Sequence, residues 1–216
     1  MATHLEELSV ENLGDRLKGA GCPASDAVVE ALHAHYQELR RWAARVALVG
    51  SGEAEAIVER HYAESLRALP LIEEASAVID LGSGAGFPGW VLAAARPDSN
   101  FWLFESRARK VAFLRAATAK AKLSSRIVDA RVSRRHPVTE TVAAATIDLV
   151  TVRGVKIDSD IWAGLEPGLV SGARILRWQG ATPVDPWPSA SAGRTIELGG
   201  EGNTIQEWIY RPEDLD

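Results

Sequence analysis

Apolar positions in the first 75 residues recur at helical spacing. Val28, Val29, Leu32, Tyr36, Leu39 and Ala43 form one stripe, with His33, Glu38, Arg40 and Arg41 between them, and this predicts an amphipathic helix. Val49-Gly50-Ser51-Gly52 is turn chemistry. A second periodic stretch carries Ala54, Val58, His61 or Tyr62, Ser65 or Leu66, and Leu69, and stops at Pro70. From Ser76 the period changes. Short β-rich runs at 77–81, 101–104, 126–129, 147–152 and 173–178 alternate with helical runs near 90–95 and 107–122. Such alternation, with nearly continuous apolar strands, predicts a doubly wound α/β fold with a mostly parallel sheet covered on both faces. Residues 195–198 and 204–210 flank Gly199-Gly200-Glu201-Gly202 and predict a C-terminal antiparallel hairpin, while 182–192, with three prolines, reads as a loop. The expected organisation is an N-terminal helical extension over 1–75 and an α/β domain over 76–216.

Composition narrows the classes. The 216 residues are 46% hydrophobic and 25% charged, as in a globular chain with a buried core. With 24 basic and 29 acidic side chains the net charge is −5, which argues against a nucleic-acid coat protein but not against a local basic face. Nineteen of the 24 basic residues are Arg, whose planar fork suits phosphate; an RNA-facing patch and ordinary solvated charges are both open readings. A single cysteine, Cys22, excludes an intramolecular disulfide and a cysteine zinc site, and fits a reducing compartment. His4, Glu6 and Glu7 do not resemble the basic start of a signal peptide, and no apolar run approaches the roughly 18 residues of a membrane span. The expectation is a cytoplasmic protein with no membrane partner, a monomer being favoured. Five scattered histidines suggest no metal site.

The strongest local signal is Val78-Ile79-Asp80-Leu81-Gly82-Ser83-Gly84-Ala85-Gly86-Phe87-Pro88-Gly89. A strand ends, the chain turns on alternate glycines, and a helix begins. In a doubly wound sheet this turn lies outside the carboxyl ends of the strands, where cofactors bind. Gly84-x-Gly86-x-x-Gly89 formally fits a dinucleotide fingerprint. Asp80, two residues before the first glycine, would repel a diphosphate and instead suits the cationic amino group of S-adenosylmethionine, directly or through water. Apolar-apolar-Asp-apolar-Gly-x-Gly-x-Gly is the pattern of class I methyltransferases, and Glu105 at the end of the second strand is placed to accept ribose hydroxyls.

With these residues in view, the chain resembles the bacterial small-subunit rRNA guanine-N7 methyltransferases, the family also called glucose-inhibited division protein B. The resemblance is most specific in Ile79 through Gly89, where the turn continues as Phe-Pro-Gly, and extends through Glu105-Ser106-Arg107-Ala108-Arg109-Lys110-Val111-Ala112-Phe113-Leu114. Trp42, His61-Tyr62-Ala63-Glu64-Ser65, Arg131 and Asp148…Arg153 are similar to further family elements. The resemblance covers about residues 30 to 180. It implies S-adenosylmethionine as cofactor, held by Gly82, Gly84, Phe87, Glu105, the backbone at Val132 and Ser133, and Arg153; Asp80 and Gly86 are counted with them as cofactor-binding residues. It implies rRNA or the assembling small ribosomal subunit as partner. The chain departs from the family at Ala43, Ala47, Val49 and Gln179, where the family has Asn, Asn, Thr and Lys. The alternative is therefore an inactive or retargeted relative that keeps cofactor or RNA binding.

Guanine N7 has an in-plane lone pair and no proton, so its methylation needs alignment more than a general base. No catalytic pair is evident, in keeping with that. Trp42 is read as a helix-packing anchor and His61 as a hydrogen-bonded residue between domains. Arg153 is read as a group at the rim where cofactor and substrate meet, its bland alternative being a surface pair with Asp158. On the functional reading, Arg153→Ala is expected to spare the melting temperature.

Overall fold

The computed structural model describes residues 5–49, 54–180, 187, 189–198 and 203–212. The expected turn at 199–202, three residues of the 49–52 break, and residues 182–186 and 188 of the expected loop lie outside the described residues.

Helices come first. They are α1 (Val10–Gly19), α2 (Asp26–Ala43), α3 (Ala54–Ile57), a π-turn (Val58–Ala63) and α4 (Glu64–Leu66). Ser9 caps α1 by accepting the Asn12 N–H at 3.1 Å. The apolar stripe of α2 buries Val29, Leu32, Tyr36, Leu39 and Ala43, as its spacing predicts. A Val or Leu side chain of this stripe is worth about 1.5–3 kcal/mol when fully buried. The single helix expected over 54–69 is interrupted by the π-turn, whose Arg60 carbonyl accepts from the Arg153 guanidinium at 2.8 Å. A π-turn inside a helix is a local insertion that hydrophobic spacing does not signal, and such turns gather at functional sites.

Seven strands follow: β1 (Ala77–Leu81), β2 (Asn100–Glu105), β3 (Arg126–Asp129), β4 (Ile147–Arg153), β5 (Leu169–Gln179), β6 (Ala190–Glu197) and β7 (Thr204–Tyr210). Their order is β3-β2-β1-β4-β5-β7-β6. The first five are parallel, and β7 runs antiparallel between β5 and β6. The expected terminal hairpin is present, with its second arm beside β5. Helices α5 (Gly89–Ala95), α6 (Ala108–Ala121) and α7 (Ser159–Leu165) complete the crossovers.

Side chains alternate across the sheet as the two-residue period requires. Ile79, Leu81, Phe104, Val150, Val152 and Ile175 pack with Ile161, Trp162 and Leu165 of α7. On the opposite face, Leu103 shares one apolar cluster with α1, α2, α5, α6 and the π-turn, so the N-terminal helices are built into the core. Chain order reverses between β1 and β4. That switch point opens a cleft beyond the carboxyl ends of the strands, where ligands bind in open α/β sheets. No helix among the described residues is long and apolar enough to cross a membrane.

Candidate functional site

The turn after β1 has positive φ at Gly82, Gly84 and Gly86. Two of these glycines are also fixed by close approach. A Cβ at Gly82 would overlap the Val155 side chain, and one at Gly86 would overlap Trp90 and crowd His35. The turn forms the floor of a cavity of about 350 Å³, within the usual range of about 300–1,000 Å³ for small-molecule sites. Its other walls are Glu105, Ser106, Arg107 and Lys110 from β2 and α6, Arg153 and Gly154 from β4, His61 from the π-turn, and Leu48 and Val49. A smaller cavity of about 60 Å³ shares Gly82, Glu105 and Ser106 and adds Ala130, Arg131, Val132 and Ile161.

Glu105 is 7% exposed. Its Oε2 accepts the Gly84 N–H at 3.0 Å, and its Oε1 accepts the N–H groups of Ser106 and Arg107, both at 2.8 Å. Three backbone donors thus fix the carboxylate on the wall shared by both cavities, with acceptor capacity left over, since an ionised carboxylate has about four lone-pair sites.

Asp80 sits elsewhere than expected. It lies beneath the turn, 1% exposed, and is not on the wall of either cavity. Alternation along β1 points it toward α5, where a Cβ on Gly89 would overlap its carboxylate. Its Oδ1 accepts the Thr151 hydroxyl at 2.7 Å, and its Oδ2 makes no hydrogen bond of normal geometry among the described residues. Burial pushes the carboxyl up to about 6, against the lowering influence of the Ser83 and Thr151 hydroxyls and the Gly89 amide. The contact expected from sequence is with a ligand's amino group, directly or through water; in the structure the turn lies between this carboxylate and both cavities.

The remaining expected residues divide. Gly82, Gly84, Phe87, Glu105 and Arg153 meet around the larger cavity. Val132 lines the smaller one, whereas Ser133 lies on neither wall and exchanges backbone hydrogen bonds with His136. Gly86 faces His35 and Trp90 rather than the cavity. Trp42 is the packing residue expected, with its indole N–H on Glu38 at 3.1 Å and its edge toward Phe113.

One alternative and one expectation need correcting. Asp158 is not the partner of Arg153: it caps α7 by accepting the N–H groups of Asp160 and Ile161. Arg153 instead pairs with Glu64 at 2.6 Å. His61, expected to be hydrogen-bonded between domains, lies on the cavity wall, stacked on Phe87 with centroids 4.8 Å apart and planes at 22°. Its Nδ1 is shielded from solvent and has no hydrogen-bond partner among the described residues. Burial, aided by the charges of Arg153 and Arg60, lowers its pKa to about 4, so the ring is neutral at pH 7. Sequence reasoning also missed Glu64 and His35. His35 could have been found, because it falls three residues after Leu32 and four before Leu39, on the buried stripe of α2.

This strand order, with a glycine turn after β1 and an acid closing β2, defines the fold of the class I methyltransferases. A crystal structure of a SAM dependent methyltransferase from Aquifex aeolicus superposes with a TM-score of 0.54 at 12% identity, covering 71% of this chain and 92% of that one. The family model for rRNA small subunit methyltransferase G matches residues 28–198, and the chain belongs to that family. Ribosomal RNA small subunit methyltransferase G of Myxococcus xanthus is 34% identical over 80% of this chain and 81% of its own length. The protein of the same name from Desulfotalea psychrophila is 41% identical over 58% of each chain.

Proposed function

We propose that this protein transfers the methyl group of S-adenosylmethionine to small-subunit ribosomal RNA, with guanine N7 as the acceptor. The observation that carries the reading is Glu105, a carboxylate locked by three backbone N–H donors where β2 meets the glycine turn. A fixed acceptor of this kind suits a pair of ribose hydroxyls. It faces a cavity rather than a helix N-terminus open to a diphosphate. The smaller apolar cavity beside Val132 suits the adenine, and the backbone of Gly82 and Gly84 suits the amino-acid end. Asp80 acts from beneath the turn, holding it in place through Thr151 and α5.

S-adenosylmethionine, when bound, supplies an electrophilic methyl carbon on a sulfonium. The chain's own part is alignment and exclusion of water. Phe87, His61, Leu48 and Val49 close one side of the cavity, and Arg153 is held at its rim by Glu64. Arg107 and Lys110 on the wall and Arg131 by the smaller cavity supply positive charge for an RNA backbone despite the acidic total. The substrate is free rRNA or the assembling small subunit, which places the protein in the cytoplasm. We also read residues 1–75 as a helical extension that supplies one wall of the cavity to a methyltransferase domain over 76–216.

The test combines calorimetry with S-adenosylmethionine and NAD and transfer of a labelled methyl group to small-subunit rRNA, both free and in the assembling subunit, with the product nucleoside mapped. Tight NAD binding with no S-adenosylmethionine binding would overturn the cofactor. RNA that gains no N7-methylguanosine would overturn the acceptor.

A further inference from the structure

The chain leaves β3 at Asp129, paired in register with Glu105 at the end of β2. Arg131 and Val132 then line the smaller cavity, and Ser133-Arg134-Arg135-His136 makes a tight turn. Its base is held closed. Ser133 and His136 exchange both backbone hydrogen bonds at 3.1 Å, and the Ser133 hydroxyl accepts the His136 N–H at 3.2 Å. Helix α7 fixes the turn at two further points. Asp160 accepts the Arg134 N–H at 3.3 Å, and the Ser133 backbone lies so close to Gly164 that a Cβ there would overlap it. Val132 anchors the near side in the apolar cluster of Ile161 and Trp162. The tip differs from its base. Arg134 and Arg135 are exposed, and neither makes an ion pair or a side-chain hydrogen bond among the described residues. The neighbouring acids are engaged otherwise, Glu140 with His136 at 3.6 Å and Asp160 with the turn's backbone.

A fixed turn whose tip carries two unpaired guanidinium groups suits a ligand of repeated negative charge. We propose that Arg134 and Arg135 contact the sugar–phosphate backbone of the RNA strand that flanks the target nucleotide, so that this strand runs across the β2–β3 side of the cleft. The proposal rests on the reading of the cavity as the methyl-transfer site for RNA. Arg134 follows Val132 on the cavity wall by two residues, at most about 7 Å of chain, so the turn stands beside the cleft. Each Arg offers a planar fork to a phosphate, and neither has to break an intramolecular salt bridge to do so. With a net charge of −5 the molecule as a whole repels RNA, so attraction must come from a local group of this kind. Arg107 and Arg109, at the start of α6 and next to the same loop, continue the positive charge.

The experiment measures binding of the full chain to protein-free small-subunit rRNA over a range of salt, together with methyl-transfer kinetics. The double variant Arg134→Ser, Arg135→Ser should melt as wild type does. It should bind S-adenosylhomocysteine within about twofold of wild type, since neither side chain lines a cavity. Its affinity for RNA should fall at least about fivefold near physiological salt, and the slope of log K against log salt should shrink by about 1.4–2. KM for RNA should rise in step, with kcat within about twofold of wild type. Arg134→Lys, Arg135→Lys keeps both charges and should keep most of the slope. Lys122→Asn, Arg126→Gln removes the same charge where α6 ends and β3 begins, at the opposite end of the sheet, and should leave the slope unchanged. An unchanged slope in the Ser variant, or an equal loss in the variant at the opposite end, would overturn the proposal with the methyl-transfer reading intact. A loss confined to the assembling subunit, with binding of protein-free rRNA unaltered, would also overturn it and assign the turn to a ribosomal protein. Wild-type protein that methylates no RNA would remove that reading and this proposal together.

Discussion

His35 Nε2 lies 2.9 Å from the carbonyl oxygen of Ala85, joining the middle of α2 to the glycine turn. A carbonyl oxygen only accepts, so Nε2 carries the proton and Nδ1 accepts the Tyr62 hydroxyl at 2.7 Å. The ring is fully buried against Trp90, Phe87 and Phe113. One neutral imidazole thus ties three separate segments to the cavity floor: α2, the π-turn and the turn after β1.

Replacing that ring should therefore affect both stability and binding. His35→Leu is close in size but strands the Ala85 carbonyl and the Tyr62 hydroxyl, at about 1–3 kcal/mol for each group. Urea melts should show the loss. Calorimetry should show weaker S-adenosylmethionine binding, because Ala85 lines the cavity. His35→Gln, with one donor and one acceptor, should recover part of both. Melts and affinity matching wild type in His35→Leu would show the link to be idle.

The same burial makes the fold acid-sensitive. Burial lowers His35 to about 3 and His61 to about 4, both from 6.5, and raises Asp80 to about 6 from 3.8. Between roughly pH 6 and pH 4 the unfolded chain protonates both histidines while the folded chain does not. Over the same window the folded chain protonates Asp80 and the unfolded chain does not. These groups leave the unfolded state one proton ahead, so stability is lost as pH is lowered, by about 1.4 kcal/mol per unit. His61→Phe should flatten this dependence, and Asp80→Asn should make it about twice as steep. Urea melts at pH 7, 6 and 5 read the slopes directly, and a wild-type fold that gains stability across that descent would contradict the assignment.

Glu105 gives the cofactor prediction. Glu105→Ala removes the acceptor assigned to the ribose, together with the anchor for three backbone N–H groups. Affinity for S-adenosylmethionine should fall by about 5- to 150-fold, equivalent to about 1–3 kcal/mol. Glu105→Gln should fall between the two, because its amide nitrogen must face a backbone donor. Unchanged calorimetric affinity in both variants would move the ribose elsewhere.

The strands and the glycine turn were legible because they depend on local pattern. β1, β3 and β7 start and end where the apolar runs do, and Glu105 follows from closing β2. What sequence could not show were relationships set by side-chain direction and by segments far apart in the chain. Asp80 fits a cofactor motif, yet the pleat of β1 turns it toward Gly89 and Thr151. The π-turn breaks the period that placed His61 and Tyr62 on interchangeable positions, and it sends His61 to Phe87 while Tyr62 goes to His35. Glu64 lies 89 residues from Arg153, beyond the reach of any spacing rule.

That last pair changes what Arg153→Ala should do. The guanidinium is 24% exposed and the Glu64 carboxylate 8%. Burial is the largest influence on each, lowering the pKa of Arg153 and raising that of Glu64, and the pairing opposes it in both. Each charge is thus tolerated because the other is present. Removing either alone strands its partner, which costs about 3–5 kcal/mol for a fully buried pair. Partial exposure of Arg153 reduces this to about 1–3 kcal/mol, or roughly 2–4 °C of melting temperature per kcal/mol for a chain of this size. Arg153→Ala should therefore melt earlier as well as lose methyl transfer, contrary to the expectation from sequence alone. Glu64→Leu should melt earlier too. The double variant Arg153→Ala, Glu64→Leu, which removes both charges, should be less destabilised than the two single losses combined. Glu64→Gln keeps an oxygen for the guanidinium but not the opposing charge, and should lose less stability than Glu64→Leu. Urea melts of the four variants and wild type provide the comparison. Single-variant losses that add to within about 0.3–0.5 kcal/mol in the double variant would show that the two charges do not depend on each other, and that Glu64 is not what holds Arg153 at the cavity rim.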